Sequence, residues 1–529
     1  MKNSTLLSTL TLPLLLSAGI VSAQKPNIIL IMCDDMGFSD LGCYGSEIQT
    51  PNIDMLGEQG VRFTQFKNAG RSCPSRASLL TGRYQHSVDM GWMTAVDEQR
   101  KSYRGELSKA VPTIAEVMHE SGYSTYMSGK WHVTIGDVYS DRTKKIIPNG
   151  SFPTERGIDR FFGCLSGGGD HYKPYPLLDG TELITELSDD FYYTNEITSH
   201  AVQYIEEHES DNPLFMYVAH YAPHRPLQAP EERIEAVRER YEVGYDILRE
   251  ERFAKQKRLG LVDESEVLPI HQAKYNIIGD RPAWEELSEK QQQAWIKEGA
   301  TFAAMVEIVD DGIGEIVEAT KRKGIYDDTI FIFLSDNGAT AEGGYISQLC
   351  ADLNNTPYKG YKAKSYMGGV SSPFIIHCPK KYGKYSGEFR ATPAHIIDIM
   401  PTILSMADTE YPALFAGKEI SAMDGIDITP IIKGRKVASR DIYFEHESSA
   451  SIISDGWKLV RADMSEDWEL YNLKRDPFEQ RNLASCERKR VSELEAKWTA
   501  WGETNKIFPL ENRGWNDRIK YYRSLYPAK

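Results

Sequence analysis

The chain has little of what marks small secreted scaffolds, membrane proteins or nucleic-acid binders. Its seven cysteines, at 33, 43, 73, 164, 350, 378 and 486, are an odd number spread thinly over 529 residues. That count leaves at least one thiol unpaired and excludes a dense disulfide framework. No two stand as Cys-x-x-Cys, which argues against structural zinc, and Cys33 and Cys378 lie in apolar runs that read as core. Basic residues are in deficit, with 61 Lys and Arg against 76 Asp and Glu and a net charge of −15. Nucleic acid or an anionic membrane surface is therefore excluded as the main partner, and an anionic ligand would need a local positive pocket. Internal repeats and low-complexity linkers are missing, and no apolar run is long enough to span a bilayer comfortably. The longest candidate, residues 6–21, is interrupted by Ser8, Thr9, Pro13 and Ser17.

What is present reads as a large soluble α/β protein, with 41% apolar and 26% charged residues. Met1-Lys2-Asn3, the Leu-rich stretch after it and Val21-Ser22-Ala23 make residues 1–23 a secretory signal peptide, with a mature start at Gln24 and export to the periplasm or the outside. No Cys follows the cleavage site, so a lipoprotein anchor is not expected. Short apolar runs alternate with helical patterns, the sign of a mostly parallel central sheet covered by helices on both sides. Strands are predicted at residues 26–32, 123–127, 214–219, 329–334 and 373–378. Helices are predicted at 111–121, with Pro112 at its start, and at 302–320, where Met305, Ile308, Val309, Ile313, Ile316 and Val317 form a core stripe. The charged segment 231–257 reads as an exposed helix with a solvated face. Beyond Ala407 the pattern shifts to short strands at 442–445, 457–461 and 468–471 and a helix at 491–501. Residues 24–407 are thus a catalytic-size α/β unit, and 408–529 a smaller antiparallel sheet plus helix.

Chemistry collects after the strands, where open α/β sheets bind ligands. Asp34-Asp35 follows the first strand and Asp336-Asn337 follows another; three carboxylates and an amide oxygen are hard ligands suited to Ca²⁺ or Mg²⁺. Either pair alone would read as a turn. Gly129-Lys130-Trp131-His132 offers a cation and a proton carrier. His224 lies in Ala222-Pro223-His224-Arg225-Pro226, and Lys362 precedes Tyr366-Met367-Gly368-Gly369. Gly167-Gly168-Gly169-Asp170-His171-Tyr172 reads as a flexible turn, or else as a substrate-facing loop in which His171 makes the contact. The densest signal is Ser72-Cys73-Pro74-Ser75-Arg76-Ala77-Ser78-Leu79-Leu80-Thr81-Gly82-Arg83. Pro74 is preorganised for helix entry and Gly82 for a stop, so Ser72 falls at a helix N-terminus, where backbone N–H groups attract an anion.

This run resembles the signature of type I sulfatases, in which a Cys or Ser two residues before Pro and four before Arg becomes formylglycine. By that register the residue is Ser72, not Cys73. The resemblance extends from 26 to 483, including Trp468-Glu469-Leu470-Tyr471-Asn472-Leu473 and Asp476-Pro477. It implies an alkaline phosphatase/sulfatase-like fold and a sulfate monoester substrate, with Ca²⁺ (or Mg²⁺) held by Asp34, Asp35, Asp336, Asn337 and residue 72. It further implies that Arg76 holds the hydrated aldehyde, that Lys130 and Lys362 contact the sulfuryl oxygens, and that His224 is the general acid and His132 the base. A Ser-type motif implies an anaerobic radical-type maturing enzyme acting before export, and with it a bacterial source. A sulfated carbohydrate is the expected substrate, most simply the O-sulfate of a terminal sugar. Many relatives carry Glu before the glycine pair and Arg soon after, where this chain has Met367 and Ser371. That departure puts the loop's usual salt bridge in question. Two rival readings stand beside this one: a phosphoester or phosphonate hydrolase of the same superfamily, and a non-catalytic sulfoglycan-binding protein should Ser72 stay unmodified.

Overall fold

The computed structural model describes residues 25–143, 145–271, 279 and 281–526; the expected signal peptide lies outside them. The apolar runs assemble into one ten-stranded mixed sheet. Its centre is parallel and consists of β1 (Asn27–Cys33), β2 (Ser124–Lys130), β3 (Arg160–Cys164), β4 (Leu214–Ala219) and β5 (Thr329–Ser335). β1 lies between β4 and β5, β2 joins β4, and β3 joins β2. β6 (Phe374–His377) closes antiparallel on β5.

β1 is apolar throughout because both faces are covered. Ile28, Leu30 and Met32 point into a core shared with Cys73 and Ala77 of α1 (Ser72–Thr81), while Ile29, Ile31 and Cys33 point into a second core. That second core holds α2 (Tyr193–Glu206) and the long α4 (Glu289–Arg322). The register positions the chemistry: Met32, Ala219, Leu334 and Gly129 lie in one row across four strands. The residues that follow them therefore leave the sheet at one level.

The predicted strand at 214–219 is observed with those bounds, and its neighbours differ by a few residues at their ends. The helix read from its apolar stripe at 302–320 begins instead at Glu289, because Ser288 caps it by accepting from the Gln291 amide. The helix predicted to start at Pro112 starts at Ile114, with Thr113 and Glu116 forming a reciprocal cap. Segment 231–257 is corrected more substantially. It forms two helices, and in α3 (Tyr245–Leu259) Arg252 is buried, 2.9 Å from Asp40 Oδ1 and 2.7 Å from Glu47 Oε2. Part of the presumed solvated face is thus a buried ion network that ties α3 to the loop after β1.

The C-terminal sheet has four antiparallel strands in sequential order: β7 (Ile442–His446), β8 (Ser449–Ser454), β9 (Trp457–Arg461) and β10 (Glu469–Asn472). Trp498 of α5 (Arg488–Thr504) packs in the small core against it. β8 escaped the sequence reading because its Ser-Ala-Ser start breaks the apolar pattern. A last helix, α6 (Trp515–Leu525), was also unforeseen. All seven cysteines are free thiols.

Candidate active site

Ser72 is the first residue of α1, and Arg71 caps the helix through backbone alone. Pro74 falls at the third helical position, not the first as expected, still within the turn whose N–H groups have no intrahelical partner. Gly82 ends the helix in a left-handed conformation, φ 66°. The Ser72 hydroxyl donates to Asp34 Oδ1 at 3.1 Å and lies 3.3 Å from Asn337 Oδ1. Cys73 points the other way, into the core, where burial pushes its thiol up to about 11. The two neighbours are thus separated in kind, one polar and turned to the carboxylates, the other apolar and inert.

Asp34, Asp35, Asp336 and Asn337 converge from the ends of β1 and β5. The Asp35 amide donates to Asp336 Oδ1 at 3.3 Å, and Asn337 Nδ2 donates to Asp35 Oδ1 at 2.7 Å. One ligand atom each of Asp34, Asp35 and His224 lies within 4.8 Å of the others. Burial, and then the charge of Asp34, pushes Asp336 up to about 7. Carboxylates crowded in this way, with an amide oxygen turned toward Ser72, fit a hard divalent cation, which would relieve their repulsion.

Three buried cations share the cluster. Arg76 Nη2 lies 3.0 Å from Asp336 Oδ2 and 3.6 Å from Asp34 Oδ2, and Nη1 donates to the Lys130 carbonyl at 2.8 Å. Arg76 was expected to hold the modified residue 72; its guanidinium is directed instead at the carboxylates beneath. The Lys130 ammonium pairs with Asp34 and donates to the Gly167 carbonyl. Burial lowers its pKa against the pull of Asp34, whereas Lys130 and its fellow cations, against burial, hold Asp34 well below the usual carboxylate range. Lys362 Nζ lies 2.8 Å from Asp35 Oδ1 and 3.3 Å from Glu342 Oε2. Asp35 outweighs burial and raises its pKa.

His132 and His224 line a cleft of about 400 Å³ together with Ser72, Arg71 and Lys362. His132 is held well below its ordinary value, first by burial and then by Lys130. Gly167 makes room for it, since a Cβ there would stand 1.8 Å from the imidazole ring. His224 Nδ1 contacts the Arg225 carbonyl, leaving Nε2 3.7 Å from Asp35 Oδ2, and burial lowers its pKa to about 4. His171 does not face substrate. It is fully buried, stacked on Tyr221 at 4.6 Å, and its Nε2 contacts the His224 carbonyl at 2.9 Å. Its place is behind His224, as a support for that loop.

The sequence reading missed Arg71 and Glu342, which pair with each other at 2.5 Å and link to Lys362. Lys362 and Arg71, against burial, lower the Glu342 pKa. The only available signal was that Arg71 adjoins Ser72. The missing loop salt bridge is also accounted for. Lys67 Nζ donates to Ser371 Oγ at 2.8 Å, the Met367 amide donates to Glu479 Oε2 at 2.9 Å, and Lys458 pairs with Glu479 Oε1 at 2.7 Å. The anchoring charges come from elsewhere in the chain, all of them buried.

Comparison with known proteins gives the family. The sulfatase family model matches residues 26–409. An uncharacterized sulfatase of Schizosaccharomyces pombe is 30% identical, with 93% of this chain and 97% of that one covered. The arylsulfatase of Klebsiella aerogenes is 30% identical over 79% of this chain and 95% of its own length. The crystal structure of Ps i-CgsB in complex with k-i-k-neocarrahexaose superposes with a TM-score of 0.70 at 24% identity, covering 95% of this chain and 98% of that one. The chain belongs to the sulfatase family, as a type I sulfatase of the alkaline phosphatase superfamily, and is a sulfuric ester hydrolase.

Proposed function

We propose that this sulfatase is exported by a bacterium and removes an O-sulfate from a sulfated saccharide, with Ser72 oxidised to formylglycine by a radical-type maturing enzyme. The observation that carries the reading is the Ser72 hydroxyl at the start of α1, against Asp34 and Asn337 and at the floor of a cleft that also presents Lys362, His132 and His224. The saccharide part is supported by the cleft's size, within the usual range for small-ligand sites, and by the likeness in fold to Ps i-CgsB, which is solved in complex with k-i-k-neocarrahexaose. In this reading Asp34, Asp35, Asp336, Asn337 and residue 72 hold Ca²⁺, or Mg²⁺ in its place. The formylglycine hydrate and the metal together would supply the nucleophilic oxygen and the Lewis acid.

The remaining work falls to side chains already in position. Three carboxylates, Asp34, Asp35 and Asp336, face three cations, Arg76, Lys130 and Lys362. The cluster is close to neutral by itself, so a divalent ion makes it a receptor for an anionic ester. Lys130 and Lys362 neutralise sulfuryl oxygens from buried, preorganised positions, where donors are worth far more than in water. With Nδ1 committed to the Arg225 carbonyl, His224 directs Nε2 toward Asp35, and an anionic ester bound beside it favours the imidazolium, which then delivers the Nε2 proton to the departing alcohol. His132, uncharged in its buried setting, accepts a proton on the other side of the reaction.

The test is mass spectrometry of the Ser72 peptide from protein made beside an anaerobic maturing enzyme, with hydrolysis of an aryl sulfate and of the matching aryl phosphate measured on the same sample. Loss of two hydrogens at Ser72 together with chelator-sensitive sulfate release is the expected result. An intact Ser72 in a sample that hydrolyses the sulfate, or a preference for the phosphate, would overturn the reading.

A further inference from the structure

Trp515, Ile519 and Arg523 stand at i, i+4 and i+8 of α6, on one face of the helix. That face lines the catalytic cleft opened by Ser72, His132 and His224, although α6 lies far beyond the span that the family model matches. The adjoining face fixes the helix. Arg518 is buried, its Nε 2.7 Å and Nη2 2.6 Å from Glu98 Oε1, and its guanidinium lies 4.4 Å above the Trp92 ring. Trp92 packs on Trp515 at 5.1 Å and donates to Glu447 Oε1 at 2.9 Å. The wall is therefore held by a buried ion pair and an aromatic stack, not by a loose terminus. What it presents is unsatisfied: Trp515 remains 42% exposed. The Arg523 side chain is 53% exposed, and among the described residues its contacts are the Ala95 carbonyl and Asp137 Oδ1, both at a long 3.4 Å.

A fixed indole beside a weakly partnered guanidinium offers a face for a sugar ring and a charge for an anion. We infer that α6 forms the subsite for the sugar next to the sulfated one, with Trp515 stacking on its ring and Arg523 pairing with a second anionic group, a carboxylate or another sulfate. This deepens the sulfatase reading and rests on it. The substrate class it names is an anionic oligosaccharide, not a lone sulfated sugar.

The test compares matured wild type, Trp515→Ala, Arg523→Ala, Arg523→Lys and the exposed control Lys520→Ala. The probes are 4-nitrophenyl sulfate, uronate-containing and multiply sulfated disaccharides, and the matching monosaccharide sulfates. Wild type is expected to favour a disaccharide over its monosaccharide by about tenfold in kcat/KM, a preference that Trp515→Ala or Arg523→Ala removes mainly through KM. Arg523→Lys should restore part of it, and Lys520→Ala should leave it unchanged. Equal losses on both saccharides, or no preference in the wild type, would overturn the subsite. Wild type that cleaves the aryl sulfate and no saccharide would sink the subsite while leaving the sulfatase reading intact, whereas wild type inactive on every sulfate would sink both.

Discussion

Arg76 is the side chain whose replacement tests the electrostatic design most sharply. It is fully buried, with Asp336 at 3.0 Å, Asp34 at 3.6 Å and the Lys130 carbonyl at 2.8 Å. Arg76→Met keeps much of the volume and removes the charge. Two carboxylates then lose a counter-ion in a setting where burial has already raised Asp336 to about 7. Breaking a buried pair from one side costs about 3–5 kcal/mol, so the variant should melt well below the wild type in chelator. The same charge also opposes a divalent ion among those oxygens. At an effective dielectric of about 20, each unit of charge some 5 Å away is worth about 3 kcal/mol. Removing it should therefore tighten metal binding by about a hundredfold or more, at about 1.4 kcal/mol per decade. Melting in chelator and in Ca²⁺, with a calorimetric Ca²⁺ titration, reads both effects. The expected pattern is a variant that is less stable without metal yet gains more from it than the wild type. Equal stability in chelator, or weaker Ca²⁺ binding by the variant, would refute the counter-ion role and return Arg76 to the role of contacting residue 72.

Three further outcomes follow from the same geometry. Ser72→Ala should end sulfate release while Cys73→Ala keeps it and loses about 1–2 kcal/mol of stability for the emptied core volume, measured by turnover and melting on the same preparations. Lys458→Met, which strands the buried Glu479 carboxylate 2.7 Å from the lost ammonium, should cost about 3–5 kcal/mol, seen as a lower denaturation midpoint. His220 is fully buried, and burial alone lowers its pKa from 6.5 to about 4. The unfolded chain takes up that proton first, so its contribution is whole above pH 6.5 and declines by about 3 kcal/mol on the way to pH 4; His220→Met should flatten the melting-temperature slope across that window, and an unchanged slope would assign acid sensitivity elsewhere.

The candidate site was legible where one local rule sufficed. An all-apolar run such as 214–219 reads as a strand buried on both faces, and whatever follows parallel strands gathers at one edge. Asp34-Asp35, Ser72, Lys130, His224 and Asp336-Asn337 all follow from that rule and their own neighbours. Charges whose meaning depends on a distant partner did not. Arg252 reads as solvated until Asp40 and Glu47 are seen beside it, because an exposed charge is the default and only a specific partner overrides it. Lys67, Lys458 and Glu479, from three separate segments, anchor the loop whose usual local salt bridge Met367 and Ser371 had put in question. The helix α6 was not foreseen at all, and nothing in residues 515–525 named the cleft it lines. His171 was misjudged for the opposite reason: its residue type suggested chemistry, and its surroundings make it a support.

Backbone conformation carries a last piece of evidence that residue type conceals. Asp35 and His132 both adopt the left-handed region, with φ of 67° and 57°, where a residue with a Cβ pays roughly 1–2 kcal/mol that glycine would not. Each is held there by a bond from its own amide, Asp35 to Asp336 Oδ1 at 3.3 Å and His132 to the Leu165 carbonyl at 3.2 Å. Glycine at either position would relax the chain, as it does at Gly129 nearby, φ 118°. Both belong to the proposed reaction, Asp35 among the residues that hold the metal and His132 as the group that takes up a proton, so the strain falls on side chains that the reaction uses.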